Sequence, residues 1–433
     1  MADAFTIHWF RRDLRLDDNT ALFHALSSGH PVIPLFIFDR EILDELPQQD
    51  ARVDFIHRRL SEIQTQLTAL GSSLLVYYGK PEEVWPQILA DYPVVAVHTN
   101  HDYEPYAKTR DEHIGEFLAG QGVSFMTWRD QVIFEKEEIL TGAGGPYTVF
   151  TPFSKKWKAM LTEERLASFD TESLFGNFFP TEPLAIPSLA EMGFAPSQIA
   201  FPPSIADPEV IKVYDQRRNF PAIPGTTRLG LHLRFGTISI RKLTRQARLL
   251  NETYLNELIW REFYMQILWN FPHVVSGPFR PAYAAIPWRN VEEEFNAWCE
   301  GKTGYPMVDA GMRELNETGY MHNRVRMVVA SFLTKHLLIN WQWGEAYFAE
   351  KLLDFELSSN NGGWQWAAGC GTDAAPYFRV FNPESQLKKF DGKGAYVRKW
   401  VPEWETPAYP NPIVEHKFAR ERCLAAYQSV LKK

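Results

Sequence analysis

Four short apolar runs in the first 98 residues, with no comparable run after residue 208, constrain the fold more than any other feature. They are 5–10 (FTIHWF), 31–39 (PVIPLFIFD), 73–78 (SLLVYY) and 94–98 (VVAVH). Helical patterns stand between them, such as 50–70, where Phe55, Ile56, Leu60, Ile63 and Leu67 share one face. Strands alternating with helices imply a parallel, doubly wound sheet covered on both sides. Such sheets hold ligands beyond their C-terminal strand ends. Arg11, Arg12, Asp39 and Tyr103–Tyr106 are the candidates there, with ordinary loop charge as the alternative. No GxGxxG follows the first run, which excludes a standard dinucleotide domain.

From 169 to 208, Pro180, Pro183, Pro187, Pro196, Pro202, Pro203 and Pro208 forbid long regular elements. A stretch of that length fits an interdomain crossing. Beyond it the periodicity is helical, at 239–249, 255–271, 307–316, 324–340 and 347–353. The expected architecture is an α/β domain over 1–135, a Pro-rich connector over 136–207 and an all-α domain over 208–433.

Net charge narrows the function classes. At −8 overall, the chain carries no general nucleic-acid signature, yet residues 209–261 hold ten Lys/Arg against four Asp/Glu. That is a local basic patch suited to phosphates. Three scattered cysteines, Cys299, Cys370 and Cys423, supply neither a disulfide framework nor a cluster or metal site. No signal-peptide core or membrane-length run is present, so the cytoplasm is the expected location.

The chemistry-bearing motifs lie after residue 208. Gly225 to Gly230 (GTTRLG) sets two hydroxyls, a guanidinium and flexible backbone ahead of a helix, which suits a pyrophosphate or a plain capped loop. Glu257, Trp260 and Arg261 share a helix face, where the alternative to a site is a Glu257–Arg261 ion pair. Asn323 and Met327 also share a face; Asn can read a base-like edge and Met packs on π surfaces. Residues 354–383 are rich in Gly, Asn and Ser. Within them Trp364 and Trp366 must diverge, either beside ligands or as core rings on a Gly-hinged loop. With 14 Trp, 17 Tyr and 30 Phe, the chain has ample rings for stacking on flat cofactors or bases.

Six stretches together resemble the photolyase/cryptochrome flavoprotein family. They are 10–19 (FRRDLRLDDN), 225–236 (GTTRLGLHLRFG), 256–264 (NELIWREFY), 300–315 (EGKTGYPMVDAGMREL), 321–327 (MHNRVRM) and 360–383 (NNGGWQWAAGCGTDAAPYFRVFNP). The resemblance covers nearly the whole chain and is strongest to class I repair enzymes for cyclobutane pyrimidine dimers. It implies an all-α FAD-binding domain. Tyr214, Thr226, Thr227, Arg228, Leu229 and Gly230 match phosphate-holding positions. Asp354, Phe355, Glu356 and Asn360 match ribose and isoalloxazine contacts, with Asn360 facing N5. Glu257 and Asn323 match polar contacts to the flipped dimer and the cofactor, and Trp260, Trp366 and Met327 match its apolar walls. Arg218, Arg324, Arg379 and Gln386, with Trp260, match DNA contacts. Trp364, Trp341 and Trp288 match an electron-transfer chain.

The implied activity is light-driven DNA repair by reduced FAD, with a blue-light receptor that does not repair DNA as the alternative. Asn360, Trp260, the single histidine of Met321-His322-Asn323 and the short C-terminus favour repair. UV-damaged DNA is the expected partner, a monomer the expected state, and no metal is expected. For a second chromophore, 103–108 (YEPYAK) and 146–150 (PYTVF) resemble deazaflavin-using relatives rather than those holding methenyltetrahydrofolate. A flavin, or no second chromophore, is the alternative.

Overall fold

The computed structural model describes residues 4–431. Its five strands form one parallel sheet in the order β3-β2-β1-β4-β5. They are β1 (Phe5–Phe10), β2 (Val32–Asp39), β3 (Leu75–Gly79), β4 (Val94–Asn100) and β5 (Ser124–Trp128). β1 and β2 are buried along their whole length. Trp9, Leu35, Trp85, Ile88, Val97 and Leu118 fill the sheet's core. Strand order reverses between β1 and β4, which puts the crevice at their C-terminal ends.

The charges near those strand ends are paired within the chain. Arg12 pairs with Asp102 at 2.9 Å, Arg15 with Asp130 at 2.7 Å, and Arg11 with Asp111. Asn100 donates to Asp13 at 2.7 Å and to Asn19 at 2.8 Å. Tyr106 donates to Asp39 at 2.5 Å, and Tyr103 to Glu135 at 2.7 Å. Of the cleft candidates, Asp39 bonds Tyr106 and Arg12 pairs with Glu104, while Arg11 and Tyr103 take partners outside the set.

The division into bodies differs from the expected boundaries at 135 and 207. One compact unit comprises 1–135, 161–204 and 229–246; the other comprises 136–160, 205–228 and 247–433. Within the expected connector, 161–207 is irregular apart from short 3-10 turns, as proline demands, but residues 161–204 pack with the sheet. Residues 136–160 pack with the helical body instead. The basic patch dissolves for a related reason. Arg234 bonds Glu104, Arg241 bonds Asp18 and Asp130, and Lys242 bonds Asp17, so these charges are neutralised within the α/β body.

The helical body packs around Trp298, Met307, Val325, Phe332, Trp341 and Trp364. Its helix Glu252–Asn270 starts where the Asn251 side chain accepts from the amides of Thr253 and Tyr254. The helix expected over 324–340 is interrupted. It runs as Asn323–Ser331, passes into a π turn at Phe332–His336, and resumes at Trp341–Lys351 after Leu338 in the left-handed region (φ 54°). Of the Gly-rich stretch, 369–382 is irregular, but the part that carries the two tryptophans is a helix as well, Leu357–Ala368, rather than a hinged loop. Gly362 fits there because a Cβ would stand 2.2 Å from the Tyr264 ring.

Candidate functional site

The helical body encloses a cavity of about 460 Å³, within the 300–1,000 Å³ usual for cofactor sites. Eleven sequence-predicted residues line it: Arg218, Glu257, Trp260, Asn323, Met327, Asp354, Phe355, Glu356, Asn360, Trp364 and Trp366. Three helices, Glu252–Asn270, Asn323–Ser331 and Leu357–Ala368, supply seven of them, and the turn Asp354–Glu356 and Arg218 the rest, so residues distant in sequence converge because amphipathic faces pack inward.

The charged groups are paired across helices. Arg326 holds both oxygens of Asp354, at 3.0 and 3.1 Å. Arg261 reaches Glu356 at 3.0 Å, and Glu257 bonds Arg218. The Glu257–Arg261 pair that their spacing allowed is therefore absent; each takes a partner from another element. Burial raises the Glu257 carboxyl above its ordinary range, although Arg218 opposes the shift. Arg326 and Arg261 were not foreseen as site residues. Arg326 sits inside the motif 321–327, and Arg261 was seen only as a partner for its own helix.

Apolar walls complete the cavity. Trp364 is buried, edge-on to Phe348 at 4.9 Å and to Trp298 at 6.0 Å. Trp366 is half-buried and has Phe381 as its ring neighbour, at 6.5 Å. The two indoles share the cavity wall but no ring partner, as their spacing requires. Gly344 permits the packing, since a Cβ there would stand 2.1 Å from the Trp364 ring. Trp341 is buried and Trp288 half-buried in the same core. Trp298, fully buried and beside Trp364, gave no signal that set it apart from other core rings.

Asn360 donates to the carbonyl of Glu345 at 3.0 Å, which fixes its amide at the cavity. Asn361, next in sequence, donates to the Glu345 carboxyl at 2.9 Å. Burial pushes that carboxyl up to about 7.

The remaining predicted residues stand off the cavity lining. Thr226 bonds the Tyr320 hydroxyl at 3.3 Å, Thr227 that of Tyr254 at 2.9 Å, and Arg228 lies over the Tyr320 ring. Arg228 itself is left-handed (φ 54°). Tyr214 stands edge-on to Tyr254 at 5.0 Å. Leu229 and Gly230 belong to the α/β body, and the helix beginning at Gly230 has only five residues. Arg324 is held by Asn219 at 2.7 Å, Arg379 is exposed, and Gln386 lies on the helix Pro383–Phe390.

The donor set fits a flavin nucleotide. Carboxylates anchored by arginines suit ribose hydroxyls, amides suit ring edges, and large rings flank a flat system. Gly363 lines the cavity with nothing within 4 Å of where a Cβ would stand, leaving backbone open to a ligand. Among the described residues, no group of three His, Cys, Asp or Glu could hold a metal, and no helix is long and apolar enough to cross a membrane.

A parallel α/β body, together with a helical body holding such a cavity, defines a protein built to hold a flat redox cofactor among aromatic side chains. The comparisons give the family. A family model for DNA photolyase matches residues 6–171, and one for the FAD binding domain of DNA photolyase matches 254–407. A deoxyribodipyrimidine photo-lyase from Synechococcus sp. is 38% identical, with 98% of this chain and 96% of that one covered. The crystal structure of a bacterial class III photolyase from Agrobacterium tumefaciens matches with a TM-score of 0.89 at 34% identity, covering 100% and 99% of the two chains. An archaeal photolyase from Sulfolobus tokodaii, solved with two FAD molecules, matches at 0.81 and 33% identity, covering 98% and 100%. The chain belongs to the photolyase/cryptochrome family.

Proposed function

We propose that this chain is a deoxyribodipyrimidine photo-lyase, which uses light to return cyclobutane pyrimidine dimers in DNA to two pyrimidines. The observation that carries the reading is the cavity, where flavin-type polar groups and substrate-type aromatic walls face one space. FAD, held by Asp354, Phe355, Glu356 and Asn360 with Tyr214 and Thr226–Arg228, would supply the light-driven electron that opens the cyclobutane ring.

A dimer inside a duplex cannot reach this depth and must be extruded, as photolyases are known to do. Trp260, Trp366 and Met327 then give it apolar walls, and Arg218, Arg324, Arg379 and Gln386 hold the DNA backbone. Glu257 and Asn323 address the polar edge. Burial raises the Glu257 carboxyl while Arg218 opposes the shift, which eases the protonation it needs to donate to a dimer carbonyl where charge develops. Trp364, buried at the cavity, leads through buried Trp341 to half-buried Trp288, an order suited to carrying electrons inward. Asn360 beside the ring edge favours repair over signalling. A deazaflavin-type antenna, or a second flavin like that of the Sulfolobus tokodaii protein, would occupy the α/β body. The protein acts as a cytoplasmic monomer.

Illuminated, reduced protein should restore thymine absorbance to UV-irradiated oligonucleotide. Glu257→Ala should lower repair yield roughly 10-fold or more with little loss of DNA affinity. No repair by the parent protein would leave the light-receptor reading, and an unchanged yield in Glu257→Ala would remove the role given to Glu257.

A further inference from the structure

The segment 146–150 suggested an antenna motif, yet it is built into the helical body. Phe150 lies parallel to Trp260, with ring centroids 3.7 Å apart and planes 5° from coplanar. Phe263 meets the same indole edge-on at 5.5 Å. Tyr264, also on the cavity wall, lies 5.5 Å away and tilted by 34°, so Trp260 is stacked on one face and flanked by two further rings while it lines the cavity. Phe150 does not line the cavity.

Phe150 is itself anchored on both sides. Its amide donates to the Asp373 carboxylate at 3.2 Å, and the Thr372 hydroxyl donates to the Thr148 carbonyl. Asp373 adopts a left-handed backbone (φ 44°), an uncommon conformation outside glycine. The helix Phe150–Met160 is tied to Glu252–Asn270 by Trp157 donating to Glu262 and by Lys158 bonding Glu252 at 2.6 Å. A peptide from outside the expected helical domain therefore backs one cavity indole, and the loop 372–373 latches it.

We propose that Phe150 is a positioning residue for substrate stacking, presetting the Trp260 plane so that its cavity face receives the extruded pyrimidine dimer. The proposal rests on the reading of Trp260 as a substrate wall. A ring that is already ordered loses little conformational entropy when a base stacks on it; a ring that must be ordered on binding costs affinity. The latch links that preset plane to residues 372–373, in the stretch that also carries Trp364 and Trp366.

The test uses FAD-loaded protein in a double-mutant cycle of Phe150→Leu and Trp260→Ala, with Phe150→Tyr as the conservative variant. Phe150→Leu keeps an apolar group in the packing and removes the flat stack; circular dichroism, melting and FAD content establish that it folds. Phe150→Leu should weaken binding to dimer-containing oligonucleotide about two- to tenfold. Affinity for undamaged DNA, flavin photoreduction and the yield per bound dimer should stay unchanged, and Phe150→Tyr should keep parental affinity. In the Trp260→Ala background, Phe150→Leu should add nothing. A loss of the same size in that background, or no loss in the parent background, overturns the inference. If Trp260→Ala itself leaves dimer affinity intact, the reading of Trp260 as a substrate wall fails, and the inference falls with it.

Discussion

Two clusters of arginines and carboxylates occupy the molecule, one at the end of the sheet and one around the cavity, and they differ in what their charges face. In the first, Asp130 accepts from Arg15 at 2.7 Å, Arg241 at 2.9 Å and the Thr20 hydroxyl at 3.0 Å, with all three partners buried. Both arginines hold Asp130 well below the ordinary carboxylate range, against the opposing effect of burial. In the second, Arg326–Asp354 and Arg218–Glu257 are each about a quarter exposed and border open volume. Saturated networks specify a fold. Pairs beside a space hold groups ready for a ligand while their partners limit the desolvation cost.

The sharpest way to break that contrast is to remove one carboxylate from each cluster. Asp130→Ala leaves the Arg15 guanidinium buried without its carboxylate and Arg241 with Asp18 alone, and should destabilise the protein by about 3–5 kcal/mol, measured by denaturant unfolding. Asp354→Ala should cost about 1 kcal/mol or less, since Arg326 can reach water, yet should strip FAD from the purified protein. Equal losses of stability would show that the clusters do the same work.

Next in size is the carboxyl behind Asn360. Glu345 titrates near 7 when folded and near 4.5 when unfolded, because burial disfavours its charge. Between those values the folded chain binds the extra proton, so this contribution to stability is full below about 4.5 and is lost as pH rises through 7. Glu345→Gln should therefore melt higher than the parent at pH 8 and show a flatter pH profile from 5 to 8. The effect should be on the order of 1–3 kcal/mol. Identical pH profiles for the two proteins would place the charge in solvent rather than behind the cavity.

What the sequence made legible follows from where the chemistry resides. Glu257, Asn323, Asp354, Asn360 and the two tryptophans sit in long motifs, and their convergence on one cavity follows from helix faces that must bury. β5 was missed because its SFMTW pattern leaves Ser124, Met126 and Thr127 exposed at an edge, so it lacks the continuous apolar run of its neighbours. The break in 324–340 carries no Pro or Gly; Thr334 bonding the Ala330 carbonyl at 2.8 Å and Leu338 in a left-handed conformation are tertiary outcomes. Ion-pair partners were equally hidden. Spacing shows which charges share a helix face, and the fold decides which charge arrives from another one.

The adjacent glycines Gly362 and Gly363 sharpen the same contrast at the scale of one methyl group. Both lie inside Leu357–Ala368, where glycine costs up to about 1 kcal/mol relative to alanine. At Gly362 the new Cβ would meet the Tyr264 ring at 2.2 Å, so alanine there should lose about 1–3 kcal/mol through overpacking. At Gly363 nothing stands within 4 Å, and alanine should stabilise the FAD-free protein by up to about 1 kcal/mol. Gly363 lines the cavity, however, so the same variant should bind FAD more weakly. Melting with and without added FAD separates the two effects: Gly363→Ala should raise the melting temperature of the FAD-free protein and narrow the gap between the two. A gap of parental width would mean that the helix backbone at Gly363 does not touch the cofactor, and that its glycine answers to something other than the ligand.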